Sequence, residues 1–346
     1  MNSLKSEFHC HNVFSNGNIG NLEPIHDCNV TIPNQLEQAY VMDLDVLFVT
    51  NHNTIDGFQQ MVKYKNNHKK FDSIKVYPAE EVTTDNESHV LVYGIDHAIK
   101  PGMSLHEILD EVKKQDAVSV APHPFSLLDA LREDSIHCDL FEVFNSSNVD
   151  VYSNIKAKKF SEEKNLHVVA GSDSHVKSTI GRCMNLIYSE NKLDSIISAM
   201  KHHKITIKDT GYVQPKEALE HIRYKIENSA LFIDKYASQF YPRALWAIRV
   251  LYKLYMISPE SIFWNMFYRA SIATLKRISR KINFEGYDYR LLVELSKMQV
   301  GEILTVLADD PAAEDDIASW ARRLGHEVVK MEKNGNEIRF EIKKVK

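Results

Sequence analysis

From residue 6 to about residue 203 the chain alternates short apolar runs with segments of helical period, the pattern of strands wrapped by helices. Strands are predicted at 7–11, 46–51, 74–79, 90–94, 117–122, 140–144, 168–171 and 185–188. Runs such as V-L-F-V, A-V-S-V and H-V-V-A are apolar on both faces, as parallel strands buried under helices must be. The expected fold class is α/β, a barrel or closed-up sheet. Between 216 and 283 the texture changes to helical periodicity carrying Phe240, Leu245, Ile248, Tyr252, Tyr255, Phe263, Trp264, Phe267 and Tyr268, with no glycine to interrupt it. Beyond it, a strand at 303–307 precedes Asp310 and Pro311, an N-cap and first helical position for a helix reaching Leu324. Asn334-Gly335 is a hairpin signal between strands at 328–331 and 338–342, which completes a small α+β two-layer sandwich. Three domains are therefore expected: a barrel at 1–212, a helical basic and aromatic segment at 213–283, and the small α+β domain at 284–346.

Composition narrows this picture. With 44% hydrophobic and 26% charged residues, and only 12 Gly and 10 Pro in 346 residues, a disordered or collagen-like chain is excluded. No stretch approaches the roughly 18 apolar residues of a membrane span, so no transmembrane segment is expected and the cytoplasm is the expected location. Four cysteines, at positions 10, 28, 138 and 183, form no C-x-x-C pair and read as reduced thiols. The net charge of −5 opposes a broadly basic nucleic-acid binder, yet the charge is segregated. Residues 216–283 hold twelve basic and five acidic side chains, +7, leaving −12 for the remainder. Twelve of the sixteen histidines lie at or before His175, and histidine is the commonest metal ligand.

The histidines fall at strand ends. His9-Cys10-His11 places two imidazoles on one side of an extended segment. The second strand finishes on His52, the third on Glu81, A-V-S-V-A-P-H-P on His123, and V-V-A-G-S-D-S-H on Asp173 and His175, while His89 opens a strand. In a βα barrel such ends converge on one mouth, where functional groups collect. Metal-capable groups repeated at one rim point to a cation cluster rather than to scattered histidines.

The ordered set H-C-H, T-N-H-N, E-V-T, H-V-L, A-P-H-P and G-S-D-S-H, over residues 6–205, resembles the PHP (polymerase and histidinol phosphatase) metallophosphoesterases. The resemblance implies a distorted (β/α)7 barrel with two or three divalent ions, Mn, Fe or Zn. It implies His9, His11, Glu81 and Asp173 around the first ion, and Glu81, His89 and His123 around the second. His52 and His175 would hold the third. Asn16 and Asn51 stand where the family usually has Asp, which lowers the negative charge offered to a third cation. Glu7 replaces an Asp, and Glu80 rivals Glu81 but is expected on the opposite face of its strand.

The implied reaction is hydrolysis of a phosphoester of a small metabolite or nucleotide, with Asp173, His175 and Arg182 as candidate catalytic residues. Arg182 is the candidate phosphate clamp, with a surface ion pair as its alternative, and Lys177 a weaker one; Glu142 and Asn145 are expected at the rim, touching substrate or ligands or making a structural hydrogen bond there. Nucleic acid is the alternative partner, through the basic segment of a nuclease, and self-association stays open. A non-catalytic metal-bound regulator is the reading from another class, and amidohydrolase chemistry ranks last. The tail from 284 resembles the TusA/SirA-like sulfur-carrier fold, but Tyr289 and Arg290 stand where that family carries its Cys-Pro pair. Sulfur transfer by that domain is therefore not expected; a scaffold for docking or dimerisation is.

Overall fold

The computed structural model describes residues 3–17, 26–240, 244–285, 294–295, 298–308, 317–318, 321, 325–335 and 337–345. It divides into two compact units, Met1–Lys276 and Arg277–Lys346. In the first, β1 (Ser3–Glu7), β2 (Val46–Val49), β3 (Lys75–Thr83), β4 (His89–Tyr93), β5 (Val118–Ala121), β6 (Leu140–Asn145), β7 (Val168–Gly171), β8 (Met184–Tyr188) and β9 (Ile205–Asp209) form one sheet. Its order is β7-β6-β5-β4-β3-β2-β1-β8-β9. Helices α1 (Ile32–Val41), α2 (Asp56–Asn66), α3 (Leu105–Lys114), α4 (Tyr152–Lys164) and α5 (Leu193–Lys201) lie between strands in the chain. The result is the expected α/β, PHP-type barrel.

The seam of the barrel is sealed by a side chain. Asn185 on β8 donates from Nδ2 to the Ala170 carbonyl (2.7 Å) and accepts the Ala170 N–H at Oδ1 (3.0 Å), standing in for a strand ladder between β7 and β8. Inside, Phe8, Phe48 and Tyr93 pack against one another, with Phe48 edge-on to Phe8 and Tyr93 at 5.5 and 4.9 Å. The Tyr93 hydroxyl donates to the Phe8 carbonyl at 2.8 Å, so this buried polar atom is satisfied while it fixes the chain just before His9.

Three expectations need correction. The first strand runs 3–7, not 7–11, because Ser3–Ser6 pair with β8; His9–His11 lie past its end, tied by the Cys10–Ser174 bridge and by His11 N–H donating to the Ser174 carbonyl. The sheet is not all parallel, since β4, β8 and β9 pair antiparallel with their neighbours. The connection from Thr83 to His89 is far too short for a parallel crossover. Strand β9 was not anticipated; its half-exposed I-T-I-K-D lacks the apolar run that marked the others.

After β9 come α6 (Pro215–Asn228), α7 (Ala230–Phe240), α8 (Leu245–Ile257) and α9 (Ile262–Phe284), the last running across the division between the units. Pro215 at the first helical position and the Gln214–Glu217 capping box start α6. No described helix is long and apolar enough to cross a membrane. The second unit holds β10 (Ile303–Ala308), β11 (Glu327–Asn334) and β12 (Glu337–Lys343), ordered β10-β12-β11 over a core of Leu295, Ala321, Ile338, Phe340 and Ile342. Strand β11 extends to Asn334, which pairs with Glu337, so the turn falls one residue later than expected. The helix start at Asp310 and Pro311, its end at Leu324, and the Tyr289-Arg290 position lie outside the described residues.

Glu80 points away from its neighbour Glu81, accepting the Ile99 N–H at 2.5 Å, and burial raises its carboxyl to about 7. A carboxyl raised on folding adds stability that is complete below its unfolded value near 4.5 and lost as pH rises through about 7. Glu80→Gln should therefore gain on the wild type between pH 5 and pH 8, by at most about 3 kcal/mol. Urea melts at the two pH values check this; a difference between the proteins that does not change with pH would contradict it.

Candidate metal centre

The cluster is organised around Glu81, which β3 carries into the barrel mouth at 1% exposure. Its Oε2 lies 3.5 Å from His9 Nε2, 3.3 Å from His11 Nε2 and 3.3 Å from His52 Nδ1. Its Oε1 lies 3.0 Å from His89 Nδ1 and 3.1 Å from His123 Nε2. Each oxygen thus faces its own set of imidazoles, the arrangement of a bridging carboxylate. Asp173 closes one set, with Oδ1 at 3.5 Å from His9 Nε2 and 3.4 Å from His11 Nε2. Donor atoms about 2.1 Å from one tetrahedral ion stand about 3.4 Å apart, so these separations match the edges of such a polyhedron.

Hydrogen bonding supports the same fit. His9 Nε2, His11 Nε2 and His52 Nδ1 are buried yet have no hydrogen-bond partner. Orphaned buried polar atoms are costly, and here they converge on one point from several elements, as ligands awaiting a cation do. The far ring nitrogens, by contrast, are held. His9 Nδ1 meets Glu142 Oε1 at 2.9 Å and His11 Nδ1 meets Ser15 Oγ at 3.0 Å, which turns both Nε2 atoms inward. Glu142 also accepts the His123 N–H (2.6 Å) and the Asn145 amide (2.9 Å) at Oε2, and Asn145 reaches Asp173 Oδ2 at 3.2 Å. Glu142 and Asn145 therefore touch ligands. His123 and Asp173 both take left-handed backbone, φ 29° and 49°, a strain tolerated where surroundings over-determine the geometry.

Charge follows from the packing. Burial works against ionisation of Glu81, but His89, His52 and His9 outweigh it and hold the carboxyl well below its usual range. Asp173 behaves likewise, through His9, His11 and His175. Burial would lower His89, yet Glu81 lifts it to about 9, whereas burial and the neighbouring His175 push His11 down to about 3. His11 is thus a neutral nitrogen donor.

Several residues fall elsewhere than expected, or were not foreseen. The Arg182 guanidinium pairs with Glu217 at 2.5 Å and donates to the Tyr212 carbonyl, the ion pair that was its alternative role. Asn51 and Asn16 carry no charge to the cluster but order its loops. Asn51 Oδ1 accepts the Asn12 N–H at 2.8 Å, and Asn16 Oδ1 accepts the N–H groups of Asp27 (2.7 Å) and Cys28 (2.9 Å). These bonds fix Asp27, which no strand-end signal marked. Its Oδ2 lies 2.6 Å from His175 Nε2 and 3.6 Å from His52 Nε2. His221 and Lys225, four residues apart on one face of α6, also reach Asp27. The i, i+4 spacing of His221 and Lys225 is legible in the sequence as a shared helix face.

The family model described as PHP-associated matches residues 151–205, and the one described as sulfurtransferase TusA matches residues 289–344. This chain belongs to the PHP family. Its second unit is TusA-like. An uncharacterized protein of Methanocaldococcus jannaschii, MJ1587, is 30% identical over 165 residues, 46% of this chain and 93% of that protein. An Archaeoglobus fulgidus protein named as a candidate sulfur carrier is 44% identical over 59 residues, 17% of this chain and 77% of its own. Among solved structures, PsfC from Pseudomonas syringae PB-5123 aligns at TM-score 0.47 and 19% identity over 66% of this chain and 99% of its own. Endonuclease Q, in complex with a duplex bearing an abasic lesion, aligns at TM-score 0.43 and 16% identity over 58% of this chain and 57% of its own. Among the described residues, the groups His9-His11-Asp173, His9-Glu81-His123 and His52-Glu81-His89 could each hold an ion.

Two outcomes follow for the PHP centre. A cation must displace the proton that Glu81 holds on His89, so Mn2+ affinity should rise with pH up to about 9, with proton release measurable by calorimetry in two buffers. Affinity that is flat between pH 6 and 8 would contradict this. A Cβ on Gly171 would stand 1.7 Å from Glu142 Oε1 and 2.7 Å from His9 Cβ, so Gly171→Ala should weaken Mn2+ binding at least about tenfold through the displaced Glu142. Unchanged affinity would show that Glu142 does not orient His9.

Proposed function

We propose that this PHP protein hydrolyses a phosphoester of a small molecule at a dinuclear centre. The observation that carries the reading is the bridging geometry of Glu81, with His9, His11 and Asp173 on one side and His89 and His123 on the other. Two divalent cations there would polarise the phosphate oxygens and make a water acidic enough to attack near neutral pH. Mixed imidazole and carboxylate donors suit Mn, Fe or Zn.

The chain's own residues bind, orient and exclude water. Glu142 holds the His9 ring and the His123 backbone, so both sets of donors keep their spacing through one buried carboxylate. Asn145 holds Asp173 Oδ2, which leaves Oδ1 aimed at His9 and His11. His9 and His11 are fully buried, whereas the side chains of Asp173 and His175 are 14% and 11% exposed, so the approach for substrate lies on their side.

A cavity of about 190 Å³ adjoins that side, with Ser147, His175 and His221 on its polar wall and Ile222, Tyr268 and Ile272 on its apolar one. Its size and apolar wall support a small organic phosphate. Within the basic segment Arg223 pairs with Glu227 and Glu260, and Arg249 with Asp234, so these two arginines are engaged with acids rather than open to a nucleic-acid backbone. The TusA-like unit has no cysteine, so thiol-based sulfur transfer has no nucleophile there.

The test is metal analysis of anaerobically purified protein beside Mn-supported hydrolysis of a generic phosphomonoester. His123→Ala and Asp173→Ala should each lose at least one ion per chain and lower turnover at least about 100-fold. Full metal content in both variants would remove these residues as ligands. Two bound ions without turnover across a broad panel would favour a metal-bound regulator, and oligonucleotide cleavage falling steeply with salt would favour a nuclease.

A further inference from the structure

Asp27 sits between two environments. Its Oδ2 is buried and faces His175 Nε2 at 2.6 Å and His52 Nε2 at 3.6 Å. Its Oδ1 is held from outside the barrel by Lys225 Nζ at 2.7 Å, with His221 Nε2 at 3.6 Å. Asp27 itself is only 3% exposed, while the Lys225 side chain is 40% exposed. Helix α6 thus places a permanent positive charge at the outer corner of the metal cluster.

A cradle for a cation exists at this corner, since His11, His52 and His175 present nitrogens within reach of one another and Asp27 adds an oxygen. Glu81 and Asp173 already serve the two inner sets, and the carboxylate that is this corner's own, Asp27, is paired with Lys225. A divalent ion bound through Asp27 Oδ2 would stand close to the Lys225 ammonium, which shares the same carboxylate, and like charges that near repel strongly. Asn16 and Asn51, neutral and turned to the loops, add nothing to offset that repulsion. We propose that Lys225 is a built-in third cation: its ammonium takes the place of a third metal ion beside Asp27 and presents its spare N–H donors to the phosphate of the substrate. An ammonium has three donors and uses one on Asp27. Of the two clamps expected from the sequence, Arg182 and Lys177, the stronger candidate Arg182 is occupied by Glu217. The inference rests on the dinuclear reading above and adds to it the group that meets the substrate's outer charge.

Titration with Mn2+ followed by inorganic phosphate, read by calorimetry and by metal content, tests it. Wild type should bind two ions. Lys225→Met, on a half-exposed helix face, should keep those two and gain a third at least tenfold tighter than any third site of the wild type. Lys225→Arg, which keeps the charge, should stay at two, and Lys225→Met combined with Asp27→Asn should return to two. With only two equivalents of Mn2+ present, Lys225→Met should bind phosphate at least tenfold more weakly, and excess Mn2+ should restore it. Three ions in the wild type, or two in Lys225→Met with undiminished phosphate binding, would overturn the proposal and leave the dinuclear centre standing. No ions in the wild type would overturn the dinuclear centre itself.

Discussion

The structure depends on one buried carboxylate shared by two sets of imidazoles. Glu81 cannot stay ionised at 1% exposure without compensation, and its neighbours His9, His52, His89 and His123 supply it. Those histidines come from four different places in the chain, so the barrel must bring strand ends into register before the charge is tolerable. Folding and site assembly are therefore the same event at this mouth. A cation that replaces the protons on His9 and His89 completes the compensation, which links metal affinity to the stability of the barrel.

Around that centre lies a shell of polar groups whose work is orientation. Glu142 joins His9 to the His123 backbone and to Asn145, and Asn145 continues to Asp173. On the other side Glu7, raised to about 7 by burial, accepts from Ser172 and Gly181 and steadies the loop that carries Asp173. Asn185 closes the seam just below. These residues carry little visible chemistry, yet each fixes the direction of an atom that does.

Much of this was legible in the sequence because the signal was positional. Apolar runs ending in His or Glu mark strands delivering ligands to one rim, and the runs at 46–49, 118–121 and 168–171 lie within the strands found. What was not legible depended on return paths. Asp27 follows no strand; Asn16 Oδ1 holds its N–H and that of Cys28, a contact that spacing does not announce. His221 and Lys225 belong to a helix far along the chain, and their shared face does not reveal that it meets Asp27. Arg182 was expected over the mouth, but Glu217, the same residue that caps α6, lies nearer to it. The first helical segment is thus tied to the barrel through Arg182–Glu217 and Lys225–Asp27.

The central claim concerns where cations sit, and anomalous scattering from crystals soaked with Mn2+, recorded on both sides of the manganese edge, tests it most directly. The account predicts two peaks about 3.5 Å apart, one beside each oxygen of Glu81, with His9, His11 and Asp173 around the first and His89 and His123 around the second. No peak at Glu81, or peaks elsewhere on the protein with the cluster left empty, would contradict it.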